Sequence, residues 1–207
     1  MTENKKMTRI ACVGDSITLG YGIGYESDTY PGQLDQLLGP DYEVLNFGFN
    51  GATVSKLGDK PYLDQEVGQR ALKSQADIIL IMLGTNDSKE INWRPETFRE
   101  DYQTLIDLFR ELSHHPRLIV MQAPKVFTKV LSGQDCNNEA LKEIHQMVNA
   151  LAEDNDLETI DLYHLTENHP KWLWDGLHPT EKGTAAFAQT IFDYLSQNKE
   201  TGHATPR

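Results

Sequence analysis

Short apolar runs alternate with amphipathic helical patterns along most of this chain, and that alternation constrains its fold more than any other feature. The runs are "RIACVG" at 9–14, "YEVLNFG" at 42–48, "DIILIML" at 77–83, "RLIVMQA" at 117–123 and "LETIDLY" at 157–163. The third has no polar alternation, which suits a strand covered on both faces. Four helical patterns lie between and after them. "TYPGQLDQLLG" at 29–39 offers Thr29 as N-cap, Pro31 in the first turn and Gly39 as a stop. In 95–113, Phe98, Tyr102, Leu105, Leu108, Phe109 and Leu112 recur at helical spacing. Leu141, Ile144, Met147, Val148 and Leu151 do the same in 137–155. The last pattern opens at a Thr180 cap and turns Phe187, Ile191, Tyr194 and Leu195 inward. Strand–helix alternation of this kind builds a parallel sheet with helices on both faces. With five strands, the expected fold is α/β: a three-layer α/β/α sandwich on a flavodoxin-like five-stranded parallel sheet. One domain is expected over 7–198, with flexible polar ends at 1–6 and 199–207.

Such sheets carry ligands beyond the carboxyl ends of their strands. There the sequence becomes unusual. "GDS" follows the first run, "NFGFNGAT" at 46–53 completes the second, and "LGTNDS" at 83–88 closes the third. "WLWDGLHPT" at 172–180 leads into the last helix. In the expected fold these four segments can meet on one rim.

Read as chemistry, they suffice for acyl transfer. Ser16 can be a nucleophile, but a serine hydroxyl needs a base to take its proton. His178 can be that base, and Asp175 can hold its imidazole in the required tautomer. Gly176 lets the short Asp-x-x-His segment turn. The Gly51 N–H, the Asn86 side-chain amide and the Ser16 N–H can donate to a developing oxyanion.

Each residue also has a plainer reading. A lone serine after a strand is usually a turn or cap residue. Glycines mark turns everywhere, and Gly48 rivals Gly51 as a donor. Asn86-Asp87 can form an Asx turn, with Asp87 structural, and Asp15 can simply order its loop. Asp161 competes with Asp175 as the partner of His178. His164, His169, Asp175 and His178 are the residue types of a metal site, but their spacings match no zinc motif. His114, His115, His145 and His203 read as surface or packing residues. Trp93 and Trp174 flank the polar blocks and can either fill core or wall a substrate pocket.

Taken together, the blocks resemble the SGNH, or GDSL, hydrolase superfamily, in order and over most of the chain. "GDSIT" at 14–18 is similar to the nucleophile block, Gly51 in "NGAT" to the second, "GTND" at 84–87 to the third and "DGLHP" at 175–179 to the last. Ile17 and Thr18 stand where the literal motif has leucine. The resemblance implies Ser16, Asp175 and His178 as catalytic residues, with Ser16, Gly51 and Asn86 as the oxyanion hole. It favours Gly51 over Gly48 and implies neither a metal nor an organic cofactor. The context around Asn86 and Gly51 looks like the sialate O-acetylesterase-like or carbohydrate acetylesterase subset. The expected substrate is therefore a small-molecule ester, an acetylated carbohydrate first. A lysophospholipase or acyl-thioesterase is the alternative within the superfamily, and an inactive carbohydrate-binding module is the alternative outside catalysis.

Composition narrows the partners. Nineteen basic side chains against 31 acidic ones leave a formal charge of −12. Phosphate backbones and anionic membrane surfaces are poor partners for such a chain. No G-x-G-x-x-G or Walker spacing follows the first run, which argues against a nucleotide binder. Cys12 and Cys136 are the only cysteines. Two cysteines make no disulfide framework. No apolar run is long enough for a signal core or a membrane span, so a cytoplasmic location is expected. The sequence leaves the oligomeric state open.

Overall fold

The computed structural model describes residues 6–127 and 136–200. Five parallel strands form one sheet: β1 (Thr8–Gly14), β2 (Tyr42–Gly48), β3 (Ile78–Met82), β4 (Arg117–Gln122) and β5 (Glu158–Asp161). Their spatial order is β2-β1-β3-β4-β5. This is the expected flavodoxin-like order, whose winding reverses between β1 and β3. The helices are α1 (Ser16–Leu19), α2 (Tyr30–Leu38), α3 (Glu66–Leu72), α4 (Pro95–Arg110), α5 (Asn138–Asp154), α6 (Leu162–Thr166) and α7 (Glu181–Glu200).

Alternation along each strand sorts the core into two layers, because successive side chains leave opposite faces. Ile10, Cys12, Leu80, Met82, Ile119 and Met121 meet Tyr30 and Leu34 of α2 and Phe187, Ile191 and Leu195 of α7. Ala11, Val13, Ile79, Ile81, Leu118 and Val120 meet Ala71 of α3, Phe98 to Phe109 of α4, and Ile144, Val148 and Leu151 of α5. The expected caps form. The Gly32 N–H donates to Thr29 Oγ1, and the Gly183 N–H donates to Thr180 Oγ1, each at 3.2 Å. Such a cap is worth about 1 kcal/mol.

Several local expectations need correction. The fifth strand stops at Asp161, because that carboxylate accepts the His164 N–H at 2.9 Å and caps α6. Tyr194 is only partly buried, since its hydroxyl reaches Glu158 Oε2 at 3.0 Å. Leu108, placed inward by periodicity, is exposed. The helix α3, which carries the chain from β2 to β3, was not among the patterns read from sequence. α7 continues to Glu200, Lys6 pairs with Asp77 at 2.7 Å, and residues 1–5 and 201–207, with His203, lie outside the described residues. Cys12 is buried and Cys136 is partly buried, and neither is in a disulfide among the described residues. Among the described residues no helix is long and apolar enough to cross a membrane.

The strand register positions the site. Gly14 pairs with Gly48 on one side and Met82 on the other. Three strands therefore end flush, and the loops carrying Ser16, Gly51 and Asn86 leave the sheet at one level.

Candidate active site

Ser16 opens α1 directly beyond β1. The turn is held by Asp15, whose Oδ1 accepts the Ile17 N–H at 2.9 Å and caps the helix. Burial pushes the Asp15 carboxyl above its ordinary range, against the Ile17 hydrogen bond and nearby positive charge. Asp15 therefore orders the turn that carries Ser16.

The segment leading into α7 closes on itself. The Trp174 N–H donates to the His178 carbonyl at 2.9 Å, and Thr180 N–H to the Trp172 carbonyl at 2.7 Å. Within it, one Asp175 oxygen accepts the backbone N–H groups of Leu177 and His178 at 2.9 and 2.7 Å. The other accepts His178 Nδ1–H at 2.7 Å. Burial pushes the Asp175 carboxyl up, but the three hydrogen bonds from His178 and Leu177 prevail and hold it below the usual carboxylate range. With Nδ1 protonated toward Asp175, Nε2 is the free acceptor. The Ser16 hydroxyl lies 2.9 Å from it. Ser16, Asp175 and His178 are all buried. The fold thus joins a hydroxyl, an imidazole and a carboxylate into one relay across 162 residues of sequence.

The three candidate oxyanion donors lie on loops that one amide ties together. Asn86 Nδ2 donates to the Ala52 carbonyl at 3.1 Å and is 3.4 Å from Asp15 Oδ2. The second contact is long and weak. The Gly48 N–H is occupied by Asn46 Oδ1 at 2.9 Å. Among the described residues, neither Gly51 nor Ser16 spends its N–H on another group. Position alone does not separate Gly48 from Gly51; in the hydrogen-bond pattern the Gly48 N–H is the one already occupied.

Asp87 is structural, as expected. Its carboxylate accepts the N–H groups of Val54 and Ser55 at 3.0 and 2.8 Å, joining the second loop to the third. Burial pushes it up to about 6. Sequence reading missed Asn92. Its amide donates to the Asn86 carbonyl at 3.0 Å and to Asp59 Oδ1 at 2.9 Å, and its oxygen accepts the Asp59 N–H. It also missed Tyr21, whose ring centroid is 4.8 Å from that of His178. The available signal was its place in "GDSITLGYG", five residues past Ser16.

The two tryptophans part company. Trp174 is 46% exposed and stacks near Tyr21 and His178, at 6.4 and 6.1 Å between centroids. Trp93 instead packs on Phe98 at 5.7 Å as part of the α4 side of the core. Part of its apolar face is covered there. Asp161 pairs with His164 and His169 stacks on Trp172, so neither histidine joins His178. Asp175 is the carboxylate that reaches His178.

Losing the Asn86 amide while keeping its backbone is expected to lower kcat by about 10²–10³-fold in Asn86→Ala. Steady-state hydrolysis of an aryl acetate checks this, with KM expected to change little.

Residues 12–186 match the model of the GDSL-like lipase/acylhydrolase family. An acetylxylan esterase of Xylanibacter ruminicola is 34% identical over 201 residues, covering 88% of this chain and 42% of that protein. The chain therefore spans less than half the length of this relative. Two solved structures share the fold. A carbohydrate acetylesterase from Sinorhizobium meliloti has a TM-score of 0.71 at 20% identity, covering 92% of this chain and 99% of that one. A lipase/acylhydrolase from Enterococcus faecalis has a TM-score of 0.72 at 23% identity, covering 93% and 97%.

Proposed function

Because the chain belongs to the GDSL-like lipase/acylhydrolase family, we propose that it is a serine esterase that removes short acyl groups, acetyl above all, from a carbohydrate. The observation that carries this reading is the buried relay from Ser16 through His178 to Asp175. Ser16 Oγ attacks the ester carbonyl as His178 Nε2 takes its proton. The carbonyl π pair moves to oxygen, where the N–H groups of Ser16 and Gly51 and the Asn86 amide receive it. The C–O bond to the sugar then breaks, and His178 returns the proton to the departing alkoxide. Water, deprotonated by His178, attacks the acyl-Ser16 ester and releases acetate. Asp175 keeps the imidazole oriented and stabilises its charged form throughout.

Similarity to an acetylxylan esterase supports acetate as the acyl group and a carbohydrate as the leaving group. The exposed Trp174–Tyr21 pair supports the second point, since each ring presents an apolar face beside His178. Rates on acetyl, octanoyl and palmitoyl esters test the acyl preference. Acetate is expected to be fastest; a preference for palmitoyl would favour a lysophospholipase or acyl-thioesterase. Labelling of Ser16 by a fluorophosphonate separates an enzyme from an inactive binding module, because only an activated serine reacts. Trp174→Ala is expected to raise KM for an acetylated xylo-oligosaccharide by about 2–10-fold, the equivalent of ~0.5–1.5 kcal/mol of aromatic contact. Its kcat is expected to hold, as measured by acetate release.

A further inference from the structure

The Gly51 N–H owes its direction to a tight turn. The Ala52 N–H donates to the Phe49 carbonyl at 3.1 Å, and Gly51 has φ +84°. Those features describe a type II turn with glycine at its third position. Types I and II differ by a flip of the central peptide, here the one joining Asn50 to Gly51. A trans peptide is planar, so its C=O and N–H point in opposite directions. A group that holds the Asn50 carbonyl therefore reinforces the direction in which the turn points the Gly51 N–H.

That group is Lys60. Its Nζ donates to the Asn50 carbonyl at 3.3 Å. The side chain lies over Gly51, where an added Cβ would stand 3.1 Å from Lys60 Cδ and 3.2 Å from Nζ. A local pairing brings it there. The Thr53 N–H donates to the Lys60 carbonyl at 3.0 Å, and the Tyr62 N–H to the Thr53 carbonyl at 2.9 Å. Asn92 clamps the preceding residue, Asp59, to the Asn86 turn. Lys60 is partly buried and, among the described residues, makes no ion pair. In a chain with a formal charge of −12, an ammonium placed on a neutral carbonyl instead of a carboxylate calls for a reason.

We propose that Lys60 is a positioning residue for ester hydrolysis: it holds the Asn50–Gly51 peptide so that the Gly51 N–H faces the acyl oxygen. The inference rests on Gly51 being an oxyanion donor. A cation on the carbonyl also polarises the peptide, which strengthens the opposite N–H as a donor. The benefit grows as charge develops on the oxyanion, so it belongs to kcat more than to KM. Lys60 itself need not touch substrate.

Lys60→Met keeps the stem and removes the ammonium; Lys60→Arg keeps a charged donor. With an aryl acetate, Lys60→Met is expected to lower kcat about tenfold with KM within twofold. Inhibition by phenylboronic acid, which forms a tetrahedral adduct on an activated serine, is expected to weaken by a similar factor. Lys60→Arg is expected to recover kcat to within threefold of the parent. Three results would overturn the proposal: an unchanged kcat in Lys60→Met, an effect confined to KM, or an arginine variant no better than the methionine one. Ser16→Ala, run in parallel, reports on the reaction itself. Activity surviving there overturns the esterase reading. Activity lost there but kept in Lys60→Met overturns only the role of Lys60.

Discussion

Ser16→Ala is expected to lower kcat for an aryl acetate by about 10⁴–10⁶-fold while leaving the fold intact. The size follows from what the hydroxyl does. It is the one group placed 2.9 Å from His178 Nε2, so its loss removes the covalent route entirely. The remaining rate would come from His178 acting on water and from the oxyanion donors. Stability should change little, because among the described residues the Ser16 hydroxyl makes no hydrogen bond besides that to His178. An unchanged thermal midpoint together with lost turnover checks both halves. Retained turnover would remove Ser16 as the nucleophile.

Asp175→Asn is expected to cost about 10⁴-fold in kcat with the backbone undisturbed. The carboxylate has two tasks on two oxygens. One oxygen accepts the N–H groups of Leu177 and His178, and the other accepts His178 Nδ1–H. An asparagine has one acceptor oxygen and an NH₂ in place of the second. If the oxygen keeps the backbone bonds, the NH₂ faces the imidazole and reverses its tautomer. Nε2 then carries the proton and cannot accept one from Ser16. Loss of kcat with little change in thermal midpoint supports this. Activity within tenfold of the parent would show that Asp175 does not govern the imidazole.

Local features of the site were legible in advance because they act over few bonds. The Asp175-x-x-His178 segment is such a feature: three residues of turn suffice to bring carboxylate and imidazole together. The Thr29 and Thr180 caps are another, since each bonds an N–H three residues ahead. The helix α3 was not legible for a related reason. It has seven residues with Gly68 among them, and glycine is a poor helix former. Packing requires that glycine, since a Cβ there would meet the Tyr62 carbonyl oxygen at 2.3 Å. Trp93 and Trp174 turn differently because closeness to a polar block in sequence says nothing about which way a ring turns. The Trp93 ring goes to Phe98, whereas that of Trp174 stays beside His178.

By itself, the sequence determined the approximate strand positions, the capped starts of α2 and α7, the parallel α/β class and the four polar segments that meet at the candidate site. Hydrophobic period and turn chemistry encode these, and both are set by neighbours within about four residues. Tertiary structure alone decided which distant groups meet. The order β2-β1-β3-β4-β5 places the loops after β1 and β3 on either side of the reversal, and α7 packs so that His178 reaches Ser16. It also occupied the Gly48 N–H with Asn46 and laid Lys60 on the Asn50 carbonyl. These contacts depend on strand order and loop closure, which bring together atoms that no local pattern relates.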